Sequence, residues 1–325
     1  MHERNILWGE LAGGLLIVGC SIALVLSLWR TLEELPYFTF LLSAGITSAV
    51  FGAGYYTFHH WKLAGTSRGL LVISLLLTPL NLLLLADPGA RGNTELLDIG
   101  VKIVAVLAFA WIARTGGRDL IELDGKQRRW WIALAVVGAP ASQMIPLSAI
   151  SQQQIWLPVI CFGLACAVTI GRLNRERRKP DAQPLHEDSA ASILMFVGIA
   201  VFGLFAAWGY VVSRADDLPS TLRHLALPTA IAGVPILAAG LLVQRWLKEP
   251  VGLRATGTGV AVAGMIVLFA SLVFAWPDPG TLFVSASAVG ILLTWMAYRD
   301  ELPWMYAGSI PSFALAVILG FQYVN

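Results

Sequence analysis

The sequence predicts an all-α protein that threads repeatedly through a membrane. Three observations carry this reading. First, of 325 residues, 57% are hydrophobic and only 13% charged, about half the ~25% charged residues of a soluble domain. Second, the mean hydropathy is +0.72. Third, the apolar residues fall in continuous runs of membrane-spanning length, without the alternation of barrel strands. A soluble fold of this length has too few charged residues to cover that much apolar surface. Soluble nucleotide-binding, kinase and hydrolase folds are therefore excluded. In lipid the backbone must satisfy its own hydrogen bonds, which makes each continuous run a helix.

Eleven runs approach the ~20 residues that a helical span needs. They lie at 11–29, 37–58, 69–86, 98–114, 130–148, 155–172, 191–213, 226–245, 255–276, 281–298 and 304–323. The first follows MHERNILWGE, whose Glu3 and Glu10 make a poor signal-peptide n-region, so it is read as a retained span. The second ends at His59-His60-Trp61-Lys62, and the third contains Thr78-Pro79-Leu80-Asn81. The fourth is short and holds Lys102. The fifth is broken by Pro140 and Pro146 and runs into an outer loop, Ser151-Gln152-Gln153-Gln154, before the sixth. Between the sixth and seventh lies NRERRKPDAQPLHEDS, Asn174 to Ser189, a polar, two-proline stretch that reads as a cytoplasmic linker.

The positive-inside rule fixes a direction. With the N-terminus in the cytoplasm, 17 of the 22 Lys and Arg fall on inner segments and 4 on outer ones, with Lys102 inside a span. A span missed or invented near the middle would erase that asymmetry. The expectation is eleven helices, N-in and C-out.

The two sides of the linker look related. Glu33-Glu34-Leu35-Pro36, Trp61-Lys62 and Asp87-Pro88-Gly89 recur as Asp216-Asp217-Leu218-Pro219, Trp246-Leu247-Lys248 and Asp278-Pro279-Gly280, at offsets near 183–191. The pattern predicts two parallel five-helix repeats joined by a bridging sixth helix. The units are 1–173, the linker 174–189, and 190–325. Each shared motif is also ordinary: acidic-Leu-Pro starts helices, Asp-Pro-Gly turns chains, and Trp beside a base marks an interface. Small-residue pairs, Gly257 with Ala261 and Gly259 with Ala263, predict close packing of the ninth span.

Candidate chemistry is sparse. Lys102 is an ionisable residue inside a span, which makes it a functional candidate, although Asp98 stands one turn away as an ion-pair partner. Asn81 sits beside the carbonyls freed by Pro79 and either glues helices or faces a cavity. Gln143 in the fifth span and Ser312 in the eleventh accompany prolines, as residues lining kinked transport paths do. Asn81, Lys102, Gln143 and Ser312 are thus the substrate-path candidates. His59, His60, Lys62 and Arg68 form a basic cluster suited to headgroup or anion contact. Adjacent histidines diverge by about 100° on a helix and cannot share a metal ion. No catalytic constellation or metal site is expected, and no cofactor: P-loop, HExxH and CxxCH motifs are absent. Cys20, Cys161 and Cys166 lie in apolar runs and make no disulfide framework. A net charge of +2 gives no case for nucleic acid.

At Trp61-Lys62 and Thr66-Ser67-Arg68-Gly69-Leu70-Leu71 the chain resembles bacterial multi-pass membrane families of no assigned activity, over about residues 10–90. The resemblance implies a bacterial inner-membrane setting and carries over no functional residue.

The function expected is a transporter or flippase for a small or lipidic solute. The alternatives are a non-catalytic membrane scaffold or assembly subunit, and an intramembrane enzyme acting on headgroups near His59 and His60. An enzyme is the weaker expectation. Expected partners are the bilayer, anionic headgroups at the cytoplasmic loops, and other membrane proteins.

Overall fold

The computed structural model describes residues 37–61, 64–86, 95–120, 128–145, 152–177, 187–246, 251–300 and 305–324. All regular structure among them is helical. The elements are α1 (Phe38–His59), α2 (Ala64–Ala86), α3 (Glu95–Leu120), the composite α4 (128–144), α5 (Gln152–Arg177), α6 (Glu187–Ser213), α7 (Leu218–Trp246), α8 (Val251–Ala275), α9 (Pro279–Asp300) and α10 (Tyr306–Val324). Seven of these, α1, α2 and α5 to α9, are long and apolar enough to cross a membrane. Helix α10 contributes a shorter apolar stretch, Tyr306–Phe321. The first expected span, 11–29, lies outside the described residues, as do Lys62, Asp87-Pro88-Gly89 and residues 178–186 of the linker.

Several boundaries differ from the expectation, and two of the differences have a clear local cause. Helix α7 starts at Leu218 rather than 226 because Asp217 opens it: its carbonyl accepts the Thr221 N–H at 3.2 Å and the Thr221 hydroxyl at 2.9 Å. Pro219, in the first turn, lacks only an N–H that would have no helical partner there. Helix α3 runs on past 114 to Leu120. The fifth span is no regular helix. It is α-helical over Arg128–Ala133, π-helical over Leu134–Gly138, α-helical over Ala139–Ala141 and 3-10 over Ser142–Met144. Pro140 brings no N–H and crowds the preceding turn, and the wider π turn relieves that crowding. The chain then leaves the helix at Ile145, with φ −67° and ψ 119°, as a residue before proline prefers. Ile145 therefore does not continue the helix as expected, and 146–148 of that span lie outside the described residues.

Helices α7 and α8 make the most extensive contact in the bundle. Glycines set their separation. A Cβ on Gly240 would lie 2.3 Å from Ala261 N, and one on Gly264 would lie 2.5 Å from Leu237 N. Only residues without side chains permit that approach. Gly257 and Ala261 belong to this seam, whereas Gly259 and Ala263 face outward. Helix α1 meets α2 in a looser version of the same contact, at Gly54. The main core extends from Phe40 on α1 to Val243 on α7, and a second cluster joins α7, α8 and α9. Helix α7 is the most buried of the apolar helices and α1 the least.

Candidate functional site

The N-terminal turns of α5, α7 and α9 meet at one end of the bundle around a cavity of about 410 Å³. Each wall follows from local sequence. Gln152 to Gln154, expected in a loop, instead form the first turn of α5. Pro158 removes the N–H that would close on the Gln154 carbonyl. Gln143, at the end of α4, replaces it, with Nε2 donating to Gln154 O at 2.8 Å. One residue on, the Ile155 carbonyl accepts the Trp208 indole N–H at 3.4 Å from α6. This turn, which presents Gln152 and Trp156 to the cavity, is thus tied to two neighbouring helices.

The α9 wall is an N-cap. Asp278 Oδ2 accepts the Thr281 N–H at 2.9 Å and also the Thr281 hydroxyl, while Asp278 O accepts Leu282 N–H at 3.0 Å. Pro279 occupies the first helical position, which its missing N–H suits. The Asp-Pro-Gly motif at 278–280 therefore starts a helix. The Thr281 bonds hold the Asp278 carboxyl below the usual carboxylate range, and the charge of Arg223 adds in the same direction.

From α7 come Ser220, Arg223, His224 and Leu227. Arg223 is half-buried, and its Nε is buried without a hydrogen-bond partner. His224 is exposed. The sequence places Arg223 and His224 in an outer loop. The signal that moves them into a helix is Asp217-Leu218-Pro219, the start motif directly before them.

The residues singled out from sequence lie elsewhere, with Gln143 as the link. Asn81 is fully buried and donates through Nδ2 to Thr47 Oγ1 at 2.7 Å, clasping α2 to α1, and to Leu77 O at 2.9 Å. Lys102 pairs with Asp98 at 2.7 Å, and Asp98 also accepts the Tyr37 hydroxyl at 3.0 Å. Ser312 Oγ donates to Gly308 O at 2.9 Å within α10. None of these three lines the cavity.

His59 and His60 are exposed at the other end of α1, one stacked on Tyr55 and the other on Tyr56, with ring centroids 4.2 Å and 5.0 Å apart. They diverge as helical geometry requires. His59 Nδ1 lies 3.1 Å from Tyr55 O. Arg68 is half-buried in α2, apart from them in sequence and helix. Among the described residues, no group of three or more His, Cys, Asp or Glu is placed to hold a metal ion. A second cavity of about 280 Å³ is lined by Trp111, Arg114, Thr115 and Arg118 of α3, with the Arg114 guanidinium 4.5 Å over the Trp130 ring.

Comparison with known proteins yields no match: no family model fits the chain, no curated protein is similar to it, and no solved structure matches its fold.

Proposed function

We propose that the chain is a multi-pass transporter or flippase for a small or lipidic solute, with the cavity between α5, α7 and α9 as its outer access site. The observation that carries this reading is the cavity itself. It lies at the N-terminal ends of three apolar helices and holds ionisable side chains from two of them, Arg223 and His224 of α7 and Asp278 at the start of α9, where a polar site between helices meets the membrane border. Eleven spans, a cytoplasmic N-terminus and a bacterial inner-membrane location belong to the same reading. The 17-to-4 asymmetry of basic residues supports them.

The two-unit organisation, 1–173 and 190–325 about the linker 174–189, also belongs here. Helices α1 and α2 cross at Gly54, and α7 and α8 cross at Gly240, 186 residues further along the chain. The following helices neighbour one another in the same order. On this reading α5 is the bridging helix and the cavity opens where it meets the second unit. The Arg114–Arg118 cavity sits at the inner border, where anionic headgroups gather at about 1 kcal/mol per basic residue.

The test is reconstitution into vesicles carrying fluorescent phospholipids, with the outer leaflet bleached by dithionite. Protein-dependent loss of the protected fluorescence is expected, slowed by Leu227→Trp, which fills the cavity. A second reading, a scaffold subunit, is favoured by Asn81, which clasps α2 to α1, and by the buried Ser312, whose hydroxyl bonds back within α10. Fluorescence identical to that of protein-free vesicles, together with a stable membrane partner recovered in detergent, would put the scaffold in its place.

A further inference from the structure

A guanidinium nitrogen of Arg223, buried without a hydrogen-bond partner at the cavity, points to the class of ligand. We infer that the site binds an oxyanion, a phosphate group in particular, with the Arg223 guanidinium as principal donor. The inference rests on the reading above that the cavity is a solute site at the membrane border.

A guanidinium offers five donors in a planar fork that matches phosphate or carboxylate. Leaving such a donor buried and unsatisfied is costly. Arg223 Nε is in that state. Asp278 is the one acid among the cavity-lining residues; its Oδ2 accepts from Thr281, and Arg223 Nε has no hydrogen bond to it. Its charge lowers the net positive field without filling the fork.

The surroundings favour an anion. The first turns of α5, α7 and α9 all face the cavity, so three positive helix-dipole ends converge on it. Gln152 and His224 add side-chain nitrogen donors at the rim. The volume of about 410 Å³ falls within the range of small-molecule pockets, ~300–1,000 Å³. Trp156, half-buried on the α5 wall, brings the amphipathic ring typical of the headgroup level. A phosphate could arrive on a lipid headgroup or on a soluble solute, and both present the same group to Arg223.

The experiment is a binding titration of the full chain in nanodiscs of zwitterionic lipid. Inorganic phosphate is one probe and dihexanoyl-phosphatidylglycerol the other. The readout is the part of the tryptophan emission lost in W156F. At least one probe should saturate, with affinity reduced tenfold or more by R223Q and partly restored by R223K. Saturation by phosphate marks a soluble oxyanion, and saturation by the short-chain lipid alone marks a headgroup. R214Q, an exposed cation of the same end, should bind as wild type. If R223Q fails to fold, L227W tests the same cavity by occlusion and should abolish the response. Absence of a saturable response to either probe, or a response unchanged by both R223Q and L227W, overturns the inference. Binding needs no flux: saturation without lipid movement would defeat the transport reading alone, and movement without saturation would defeat the oxyanion site alone.

Discussion

Gln143 Nε2 donates to the Gln154 carbonyl across 2.8 Å, and Gln154 is the residue whose in-helix partner Pro158 cannot supply. A proline in one helix is thus compensated by a side chain from another. The contact sets the first turn of α5, on which Gln152 and Trp156 stand at the cavity. The amide orientation is fixed by this bond, since the reverse flip would set oxygen against oxygen, and it leaves Oε1 buried without a partner.

Gln143→Leu should therefore destabilise the fold by about 1 kcal/mol, the loss of one hydrogen bond partly offset by removal of the orphaned Oε1. The diagnostic feature is coupling. Pro158→Ala restores an N–H that can close on Gln154 O, so Gln143→Leu should cost markedly less in that background. Thermal unfolding of the four-member cycle in one detergent measures it. Additive effects would mean that the Gln143 bond does not replace the missing backbone donor.

The glycine seam makes a sharper contrast. Gly240→Ala puts a Cβ 2.3 Å from the Ala261 backbone nitrogen, and backbone cannot swing aside. α7 and α8 must separate, at a cost of about 1–3 kcal/mol for overpacking. Gly259→Ala, one turn along the outward face of α8, meets nothing within 4 Å and should leave the unfolding midpoint nearly unchanged. Equal midpoints for the two variants would contradict the crossing.

Much of this bundle was legible in sequence because lipid forces apolar runs into helices. Ten of the eleven expected runs overlap described helical segments, seven of them long and apolar enough to cross a membrane, and the small-residue pair Gly257–Ala261 falls on the seam. What eluded the sequence depends on convergence. The cavity takes residues near 152, 223 and 278, three stretches that each read as a polar turn between spans. Arg223 reads as a loop charge, with His224 beside it before the expected span at 226, because apolarity resumes only after them, whereas capping begins the helix at Leu218. Spacing likewise could not choose between gluing and solvating roles for Asn81. Only the neighbouring Thr47, 34 residues away, decides for the helix contact.

Lys102 shows the same decision made by charge. Its ammonium and the Asp98 carboxylate are each about one-seventh exposed, at 14% and 15%, and 2.7 Å apart. Lys102→Met should change stability by less than about 1 kcal/mol, because Asp98 keeps the Tyr37 hydroxyl and the pair is a short-range helical one. Asp98→Ala should cost more, about 1–3 kcal/mol, since it strips a charge-assisted partner from an ammonium near the apolar zone. Unfolding midpoints in matched detergent rank the two. A larger effect for Lys102→Met would return Lys102 to the functional candidates.

Asp278 yields a prediction with a pH signature. Its carboxyl titrates lower in the folded protein than its ordinary value of 3.8, chiefly through the two Thr281 bonds. The unfolded chain then binds the proton more readily than the folded one. The stabilisation is complete above the unfolded value and is lost as pH falls through the lowered folded value. Asp278→Ala should destabilise by about 1 kcal/mol at neutral pH, the usual worth of an N-cap. The gap to wild type should close in strong acid. Asp278→Asn should keep most of the cap, because its amide oxygen still accepts the Thr281 N–H, and should lose the acid-dependent part. Unfolding midpoints from pH 2 to 7 separate the three proteins. A wild-type to Asp278→Ala gap that persists undiminished to the acid end would show that Asp278 acts on α9 through something other than its ionised carboxylate.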